Sequence, residues 1–328
     1  MFKSNRIYKL VSLFLGVVMC LGLFGCAEKK VSSTEFALNT VITITAYGDK
    51  AQEAMDASFA EVKRIENLLS AYIDGSDISK INKSACDAPV EVSDETINVL
   101  TKALEMSQKT DGAFDITVKP LVDLWDIKSE NPKIPSEDAI NTAKNLVGYK
   151  DVVIDGNRVS FKKQGMKIDL GGAAKGYCAD KVIEVLKSYG VKNALIDLGG
   201  NIYALGKNEN GDNWRIGLQD PTSARGEHFS VEEISDKTAV TSGSYERYFE
   251  KDGKIYHHIL NPETGRPADS GLISVTVISK NSFEADMLST AVFVMGSEKF
   301  KEKSDNFNFS KVITVDKNNI AKTFEKQK

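Results

Sequence analysis

The sequence predicts an α+β fold made of two closely packed α/β lobes. A chain of 328 residues is long enough to bury a large core, in one big domain or in two lobes. From about Glu35 onward, strand-like and helix-like segments alternate, and no long low-complexity linker separates them. The stretch SENPKIPSED at 129–138 contains two prolines and is the best candidate for a surface excursion or a boundary between lobes.

The first third of the chain predicts one strand and two helices. VITITAYG at 41–48 alternates with period two, which is typical of a strand. Apolar residues then recur at helical spacing, first at Met55, Phe59, Val62, Ile65 and Leu69, and later at Ile97, Leu100 and Leu104. Ser93 can cap the start of the second helix, and Gly112 can close it.

The five residues IDLGG occur twice, at 168–172 and at 196–200. We predict a short strand at 167–170, a helix at 173–189 and a second strand at 193–198, which together would form a right-handed crossover unit. Such a unit places both glycine pairs at one end of the sheet, where helix N-termini and free amides bind anions. Two similar turns facing one site would explain the repeat, and coincidence among common residue types is the alternative.

The segment GGAAKG at 171–176 has neither the GxGxxG spacing of a dinucleotide-binding loop nor the pattern of a Walker A loop. The conservative interpretation is a tight turn that enters a helix. Lys175 then lies in the first helical turn, where its positive charge opposes the helix dipole. An anion near Lys175 would account for that unfavourable position.

The segment NSFEADMLSTAVFVMG at 281–296 predicts a helix that starts at a capping Asn281 and ends at its final glycine. Asp286 and Thr290 are four residues apart and share one face, roughly opposite the apolar stripe. One interpretation is a solvated polar face. The other is a site for Mg²⁺, because this ion binds carboxylate and hydroxyl oxygens and completes its shell with water and phosphate oxygens.

The net charge, the histidines and the cysteines indicate which partners and sites to expect. The net charge is −4, and no block of basic residues occurs, so nucleic acid is not expected as a partner. Two of the three histidines are adjacent, at His257 and His258. Successive residues of a strand point to opposite faces, so we expect only one of the two to enter a site. Cys86 and Cys178 lack zinc spacing, and we expect free or buried thiols.

The N-terminus predicts a lipid-anchored protein. Three basic residues among the first nine precede an uncharged run at 10–25, which is too short to span a membrane comfortably. The run leads into LFGC, which resembles a bacterial lipobox with Cys26 as the lipidated residue. We therefore predict a lipoprotein signal peptide at 1–25, a tether at 26–34 and attachment to the extracytoplasmic face of the cell membrane. An uncleaved signal anchor is the alternative.

Six segments together closely resemble the ApbE family of bacterial FAD:protein FMN transferases. They are, in order, TDGAFDIT, DLGGAAKGY, DLGGN, TSGSYERYFE, HHILNPETGRPA and EADMLSTA. The resemblance covers residues 35–320 as one domain and leaves a tail at 321–328. It implies FAD in the cleft between the two lobes and a magnesium-dependent reaction. In that reaction FMN is joined by a phosphoester bond to a threonine of a target protein, typically a membrane redox subunit, and AMP leaves.

The resemblance also implies roles for individual residues. Asp286, Thr290 and the main-chain carbonyl of Ala174 correspond to metal ligands. The implied catalytic residues are His258, Asp115 and Lys175. The implied FAD contacts are Leu38, Asn39, Tyr72, Ala113, Phe114, Asp115, Asp169, Gly171, Gly172, Lys175, Ile259 and Arg266. Leu38 and Asn39 stand where the family commonly has Met-Gly, which bears on how one end of FAD is held.

Alternatives remain open at the level of the reaction and of single residues. A metal-dependent FAD pyrophosphatase would use water in place of threonine, and a flavin-binding lipoprotein would bind FAD without turnover. Asp115 or Asp169 could serve as the base instead of His258, which would then be structural. Arg266 could hold a phosphate or brace its own loop.

Overall fold

The computed structural model describes residues 29–326. Its helices are α1 (Ala51–Leu69), α2 (Asp77–Ser84), α3 (Asp94–Lys109), α4 (Lys119–Trp125), α5 (Glu137–Lys144), α6 (Ala174–Ser188) and α7 (Ser282–Lys303). Its strands are β1 (Lys30–Ala37), β2 (Thr40–Tyr47), β3 (Val90–Glu91), β4 (Val152–Asp155), β5 (Arg158–Phe161), β6 (Asn193–Leu198), β7 (Asn201–Leu205), β8 (Trp214–Gln219), β9 (His228–Ile234), β10 (Lys237–Gly243), β11 (Tyr248–Lys251), β12 (Lys254–His257), β13 (Leu260–Asn261), β14 (Arg266–Pro267), β15 (Leu272–Ser279), β16 (Lys311–Asp316) and β17 (Ala321–Glu325).

The main sheet contains eight strands in the order β1-β2-β6-β7-β10-β15-β16-β17, and every neighbouring pair is antiparallel. Helices α1, α6 and α7 pack on one face of this sheet. Ile42, Ile44 and Ala46 alternate along β2 and are fully buried in the core between the sheet and these helices. On the opposite face, Trp214 of the β8–β9 hairpin packs against Tyr47.

A smaller core involves α4, α5 and the β13–β14 hairpin. Its buried members are Leu121, Trp125, Ile140, Ala143 and Leu260. The indole N–H of Trp125 donates to the carbonyl of Gly265 at 2.8 Å, which fixes the hairpin loop on α4. β3, β5 and β4 form a separate small sheet, and the predicted combination of helices and sheets in an α+β fold is confirmed.

The predicted strand at 167–170, and with it the crossover unit, is wrong. The main-chain N–H and C=O of Ile168 bond the side-chain amide of Asn82 at 2.7 and 2.8 Å. The N–H of Asp169 donates to the carbonyl of Ile116 at 2.7 Å. Because these partners replace a neighbouring strand, the segment joins no sheet. Helix α6 and strand β6 form as predicted, but β6 pairs antiparallel with β2 and β7.

Both ends of the predicted domain extend further than the sequence indicated. Strand β1 occupies most of the predicted tether at 26–34, and β17 occupies most of the predicted tail at 321–328. Val31 packs against the main core, and the ring of Phe324 lies edge-on to Phe300 at 5.2 Å between ring centres. These apolar contacts stabilise the pairing of both segments with the sheet.

The predicted signal peptide at 1–25 and the lipidated Cys26 lie outside the described residues. Within 29–326, no helix is both long enough and apolar enough to cross a membrane. The attachment of this chain to a membrane therefore stays a prediction from the sequence.

The thiols of Cys86 and Cys178 are both free, as predicted. Cys178 is buried in α6, and its burial raises the pKa of the thiol. The Sγ of Cys86 lies 3.3 Å from the carbonyl oxygen of Lys163. Neither thiol takes part in the candidate site below.

The predicted helix starts are confirmed in α3 and α7. The hydroxyl of Ser93 accepts the N–H of Thr96 at 3.1 Å, and the side-chain oxygen of Asn281 accepts the N–H of Glu284 at 2.7 Å. Gly296 has φ 81° and interrupts α7, which then continues beyond it. The glycine is therefore a break within the helix rather than its end.

Candidate active site

The second glycine pair lies at the end of the main sheet that holds the β1–β2 turn. Gly199 has φ 63°, and a Cβ built on it would lie only 1.9 Å from Oγ1 of Thr40. The N–H of Thr241 in β10 donates to the carbonyl of Gly200 at 3.3 Å. The turn therefore lies between the start of β2 and the end of β10.

The first glycine pair reaches the same region from the start of α6. A Cβ built on Gly172 would lie 3.2 Å from Oγ1 of Thr290 and 3.4 Å from the ring of Phe114. Oγ1 of Thr290 in turn lies 3.4 Å from Oγ of Ser242, which follows Thr241 in β10. The first turn thus contacts Thr290 and the second contacts the residue before Ser242, although no crossover unit brings the two turns together.

Asp286 is buried between α6 and α7, so the interpretation of its helix face as solvated is wrong. Only 2% of the residue is exposed. Its Oδ1 lies 3.4 Å from Nζ of Lys175, and its Oδ2 accepts the main-chain N–H of Gly176 at 2.9 Å. The position of Lys175 predicted an anion nearby, and the Asp286 carboxylate is such an anion within the chain.

Gly176 allows α6 and α7 to approach closely enough for that bond. A Cβ built on it would lie 2.3 Å from the carbonyl oxygen of Ser282 and 2.7 Å from Cβ of Asp286. We expect Gly176→Ala to lower the free energy of unfolding by about 1–3 kcal/mol, because the helices must separate. Denaturant unfolding measures the change, with the exposed Lys187→Ala in the same helix as control. Equal stability of the glycine variant and the control would contradict this account.

The oxygen donors around Asp286 fit Mg²⁺. Thr290 lies one turn further along α7, and Ala174 offers a main-chain carbonyl at the start of α6. Mg²⁺ characteristically takes few protein ligands and keeps waters and phosphate oxygens. No group of three or more His, Cys, Asp or Glu side chains suited to a metal occurs in the described part of the chain. One carboxylate, one hydroxyl and one carbonyl are fewer oxygens than the octahedral shell of Mg²⁺ holds, so an ion held by them would share its shell with water or a substrate.

Tyr72 and Asp169 form a polar pair beside the first glycine turn. The hydroxyl of Tyr72 donates to Oδ2 of Asp169 at 3.4 Å, and Oδ1 of Asp169 accepts the N–H of Gly171 at 2.7 Å. Nζ of Lys119 lies 4.6 Å from the centre of the Tyr72 ring. Since Tyr72 is 62% exposed, much of its ring is accessible to a planar ligand.

The carboxylate of Asp115 is fully engaged by local donors. Its Oδ1 accepts the N–H and the hydroxyl of Thr117 at 2.8 and 2.6 Å, and its Oδ2 accepts the N–H of Tyr149 at 3.0 Å. Burial raises the pKa of Asp115, and these donors oppose that effect. The preceding Phe114 packs in the main core, with Ala113 against it. These contacts favour a role for Asp115 in holding the loop over a role as the base.

The two adjacent histidines have different surroundings. Nε2 of the buried His257 bonds the carbonyl of Ala268 at 3.0 Å, and its ring lies edge-on to Phe293. The N–H and Nδ1 of His258 both lie against the carbonyl of Arg247, at 3.1 and 3.2 Å. Burial, and next the Arg247 cation, lower the pKa of His258 to about 3, so its ring is neutral at pH 7.

Two cations of this region, Arg247 and Lys128, were not predicted from the sequence. The guanidinium of Arg247 donates to the carbonyl of Asn39 at 3.0 Å, and its charge acts on His258 and Lys128. Lys128 is exposed, yet partial burial of its ammonium and the Arg247 charge lower its pKa. Arg247 lies within TSGSYERYFE, one of the six segments that resemble the family, so the sequence could have identified it as a site residue. Lys128 lies in no such segment.

The β1–β2 turn explains how Leu38 and Asn39 replace the common Met-Gly. Both residues have positive φ, 52° and 56°, as a two-residue hairpin turn of this type requires. Asn39 can stand in place of glycine because asparagine tolerates this conformation. The N–H of Leu38 donates to Oε1 of Glu66 at 2.8 Å, which holds the turn against α1.

Ile259 and Arg266 make contacts that do not require a ligand. The side chain of Ile259 belongs to the main core, and its carbonyl accepts the N–H of Ala268 at 2.9 Å. The guanidinium of Arg266 pairs with Glu137 in the first turn of α5. This pair favours the interpretation that Arg266 braces its loop, and the contact of either residue with FAD stays a prediction.

The sequence and the fold agree with those of a known family. The family model described as ApbE family matches residues 38–310. A Treponema pallidum protein named FAD:protein FMN transferase is 34% identical over 314 residues, which is 90% of this chain and 86% of that protein. An Escherichia coli K12 protein of the same name is 35% identical over 260 residues, 77% of this chain and 72% of that protein. The chain belongs to the ApbE family.

Solved structures support the same assignment. The ApbE protein from Thermotoga maritima superposes with a TM-score of 0.83 at 34% identity, over 91% of this chain and 100% of that chain. The flavin transferase ApbE from Vibrio cholerae superposes with a TM-score of 0.82 at 28% identity, over 92% of this chain and 98% of that chain. The resemblance inferred from six sequence segments is confirmed.

Proposed function

We propose that the chain transfers FMN from FAD to a threonine hydroxyl of a target protein, in a Mg²⁺-dependent reaction that releases AMP. The relatives named FAD:protein FMN transferase support the transfer and the protein acceptor. The observation that carries the proposal is the buried Asp286 carboxylate, which lies beside Lys175 and on one helix with Thr290, whose side chain is next to Gly172. Cleavage of a pyrophosphate depends mainly on neutralised charge and alignment, and this group of residues supplies both.

Asp286, Thr290 and the carbonyl of Ala174 would hold the ion. When bound, Mg²⁺ neutralises charge on the pyrophosphate and orients it. Lys175 now contacts Asp286, and its flexible side chain can turn to a phosphate oxygen once another cation occupies the carboxylate.

The surrounding residues can position the rest of FAD. Arg247 and Lys128 add positive charge near Tyr72 and Asp169. The exposed ring of Tyr72 offers a stacking surface for one of the planar rings of FAD. The positive charge on this side therefore attracts the phosphates while the ring orients the flavin or the adenine.

His258 is the proposed base. A carbonyl can only accept a hydrogen bond, so Nδ1 of His258 donates to Arg247, and Nε2 keeps its lone pair. The threonine hydroxyl gives its proton to Nε2 as its oxygen bonds to the phosphorus of FMN. The bond between that phosphorus and the bridging oxygen breaks, and AMP leaves with the electron pair. A positioned base contributes roughly 10²–10⁴-fold.

We also propose a lipid-anchored protein on the extracytoplasmic face of the cell membrane. The uncharged run at 10–25 and the lipobox cysteine Cys26 support this placement. The acceptor would then be a redox protein or membrane subunit whose flavin-bearing part faces that side. Labelling with a palmitate analogue, lost in Cys26→Ser, tests the anchor.

One reaction separates the transferase from its alternatives. The purified chain is incubated with FAD, Mg²⁺ and the soluble domain of a threonine-bearing redox subunit. We expect the acceptor to gain the mass of FMN with one AMP per adduct, and to gain nothing without Mg²⁺ or after Thr→Val at the modified position. AMP and free FMN without an adduct would indicate a pyrophosphatase. Intact bound FAD would indicate a flavin carrier.

A further inference from the structure

Arg247 connects two parts of the site that are far apart in the sequence. Its guanidinium Nη2 donates to the carbonyl of Asn39 in the β1–β2 turn at 3.0 Å. Its own carbonyl accepts the main-chain N–H of His258 at 3.1 Å and lies 3.2 Å from Nδ1 of the same residue. One residue thus holds the turn with its side chain and the histidine with its main chain.

The carbonyl of Arg247 decides which nitrogen of His258 is free. Because Nδ1 must donate to that carbonyl, the neutral ring carries its proton there and presents Nε2 as the acceptor. A histidine held in this way by its second nitrogen has a fixed tautomer and a fixed ring orientation. The position of the carbonyl therefore matters for any proton that His258 takes up.

The turn held by the guanidinium has positive φ at two residues other than glycine. Asn39 tolerates this conformation, but Leu38, with φ 52°, adopts a conformation that is uncommon for its residue type. Besides the Ala37–Thr40 strand pair, the turn is held by the bond from Leu38 to Glu66 and the bond from Arg247 to Asn39. The guanidinium bond joins two separate hairpins, β1–β2 and β11–β12, so its loss removes one constraint on the position of Arg247 as well as one on the turn.

We propose that Arg247 is a positioning residue for flavin transfer, which places the Nε2 of His258 by anchoring its own carbonyl on the β1–β2 turn. This inference rests on the proposed function for the identity of the proton donor, a threonine hydroxyl. The coupling between Arg247 and His258 is a property of the chain itself and can be measured without FAD.

The charges around His258 give the coupling a second observable. Besides burial, the positive charges of Arg247 and Lys175 and the neighbouring His257 all lower the pKa of His258, and Arg247 has the largest effect among them. The bond from Nδ1 to the Arg247 carbonyl raises the pKa of His258, but by less than the Arg247 charge lowers it. Removing the charge therefore raises the pKa of His258 even if the carbonyl bond weakens, and a lysine at 247 keeps the pKa lowered.

The test compares Arg247→Met, Arg247→Lys and the exposed Arg215→Met as control. The ring nitrogens of His258 are followed by NMR in the chain without FAD, and AMP release is followed with FAD, Mg²⁺ and the threonine-bearing acceptor domain. We expect Arg247→Met to lose the single Nδ1–H tautomer and to move the His258 titration to higher pH. Its kcat for AMP release should fall about 10–100-fold with the KM for FAD within a few-fold.

Arg247→Lys should restore the tautomer and most of the rate, because an ammonium can still donate to the Asn39 carbonyl. An unchanged tautomer and titration in folded Arg247→Met would overturn the proposal, as would a loss confined to the KM for FAD. If the control and the unsubstituted chain release no AMP at all, the proposed function fails, and the NMR result still decides whether Arg247 positions His258.

Discussion

Replacing Asp286 by asparagine should abolish flavin transfer while the chain stays folded. The asparagine oxygen can still accept the N–H of Gly176, so the contact between α6 and α7 survives. The charge that would hold Mg²⁺ is lost. A bound metal contributes several kcal/mol to such a reaction, so the rate should fall on the order of 10³-fold or more.

The measurement is AMP release and FMN adduct formation over a range of Mg²⁺ concentrations. The exposed Asp138→Asn is the control for a lost carboxylate. Asn, in place of Ala, is the informative substitution at 286 because an alanine would leave the buried N–H of Gly176 without its partner, at a cost of about 1–3 kcal/mol. An Asp286→Asn variant with full activity and an unchanged Mg²⁺ dependence would remove Asp286 from the metal site.

The helices of the fold could be predicted because their signals are local. Ser93 and Asn281 cap their helices through bonds to residues three positions later, and the sequence contains both partners. The strand at 167–170 was predicted from its apolar residues and failed because its partner is a side chain distant in sequence, Asn82. Strand pairing depends on such distant partners, so the antiparallel order of the main sheet was not predictable from local patterns.

In the candidate site, too, local features could be predicted from the sequence and features that depend on distant contacts could not. The four-residue spacing of Asp286 and Thr290 was enough to predict that they lie on one side of a helix. The burial of that face was not predictable, because it depends on how α6 and α7 approach at Gly176. Arg247 and Lys128 come together only in the folded chain, where the charge of Arg247 contributes to the lowered pKa of Lys128.

Replacing His258 by glutamine should lower kcat by roughly 10²–10⁴-fold with little change in the affinity for FAD. Glutamine keeps a polar side chain of similar length, but it cannot take up the threonine proton. FAD binding is measured by flavin fluorescence and turnover by AMP release, with His228→Gln as the exposed control. Equal losses of rate and affinity would make His258 a binding residue.

The same substitution should also change how stability depends on pH. The pKa of His258 is about 3 in the folded chain against an ordinary value of 6.5, so between these values the unfolded chain binds the extra proton. The free energy of unfolding therefore falls as the pH drops from 6.5 toward 3, and His258→Gln should make that fall shallower. His257, whose pKa burial also lowers, keeps its own contribution in the variant. Denaturant unfolding at several pH values measures the slope, and an unchanged slope would mean that His258 is as easily protonated in the folded chain as in the unfolded one.

The pH dependence of kcat should also change in His258→Gln. The phosphates of FAD favour the protonated ring of His258, so the acidic limb of kcat should lie at higher pH than the titration of His258 without FAD. That limb should disappear in His258→Gln.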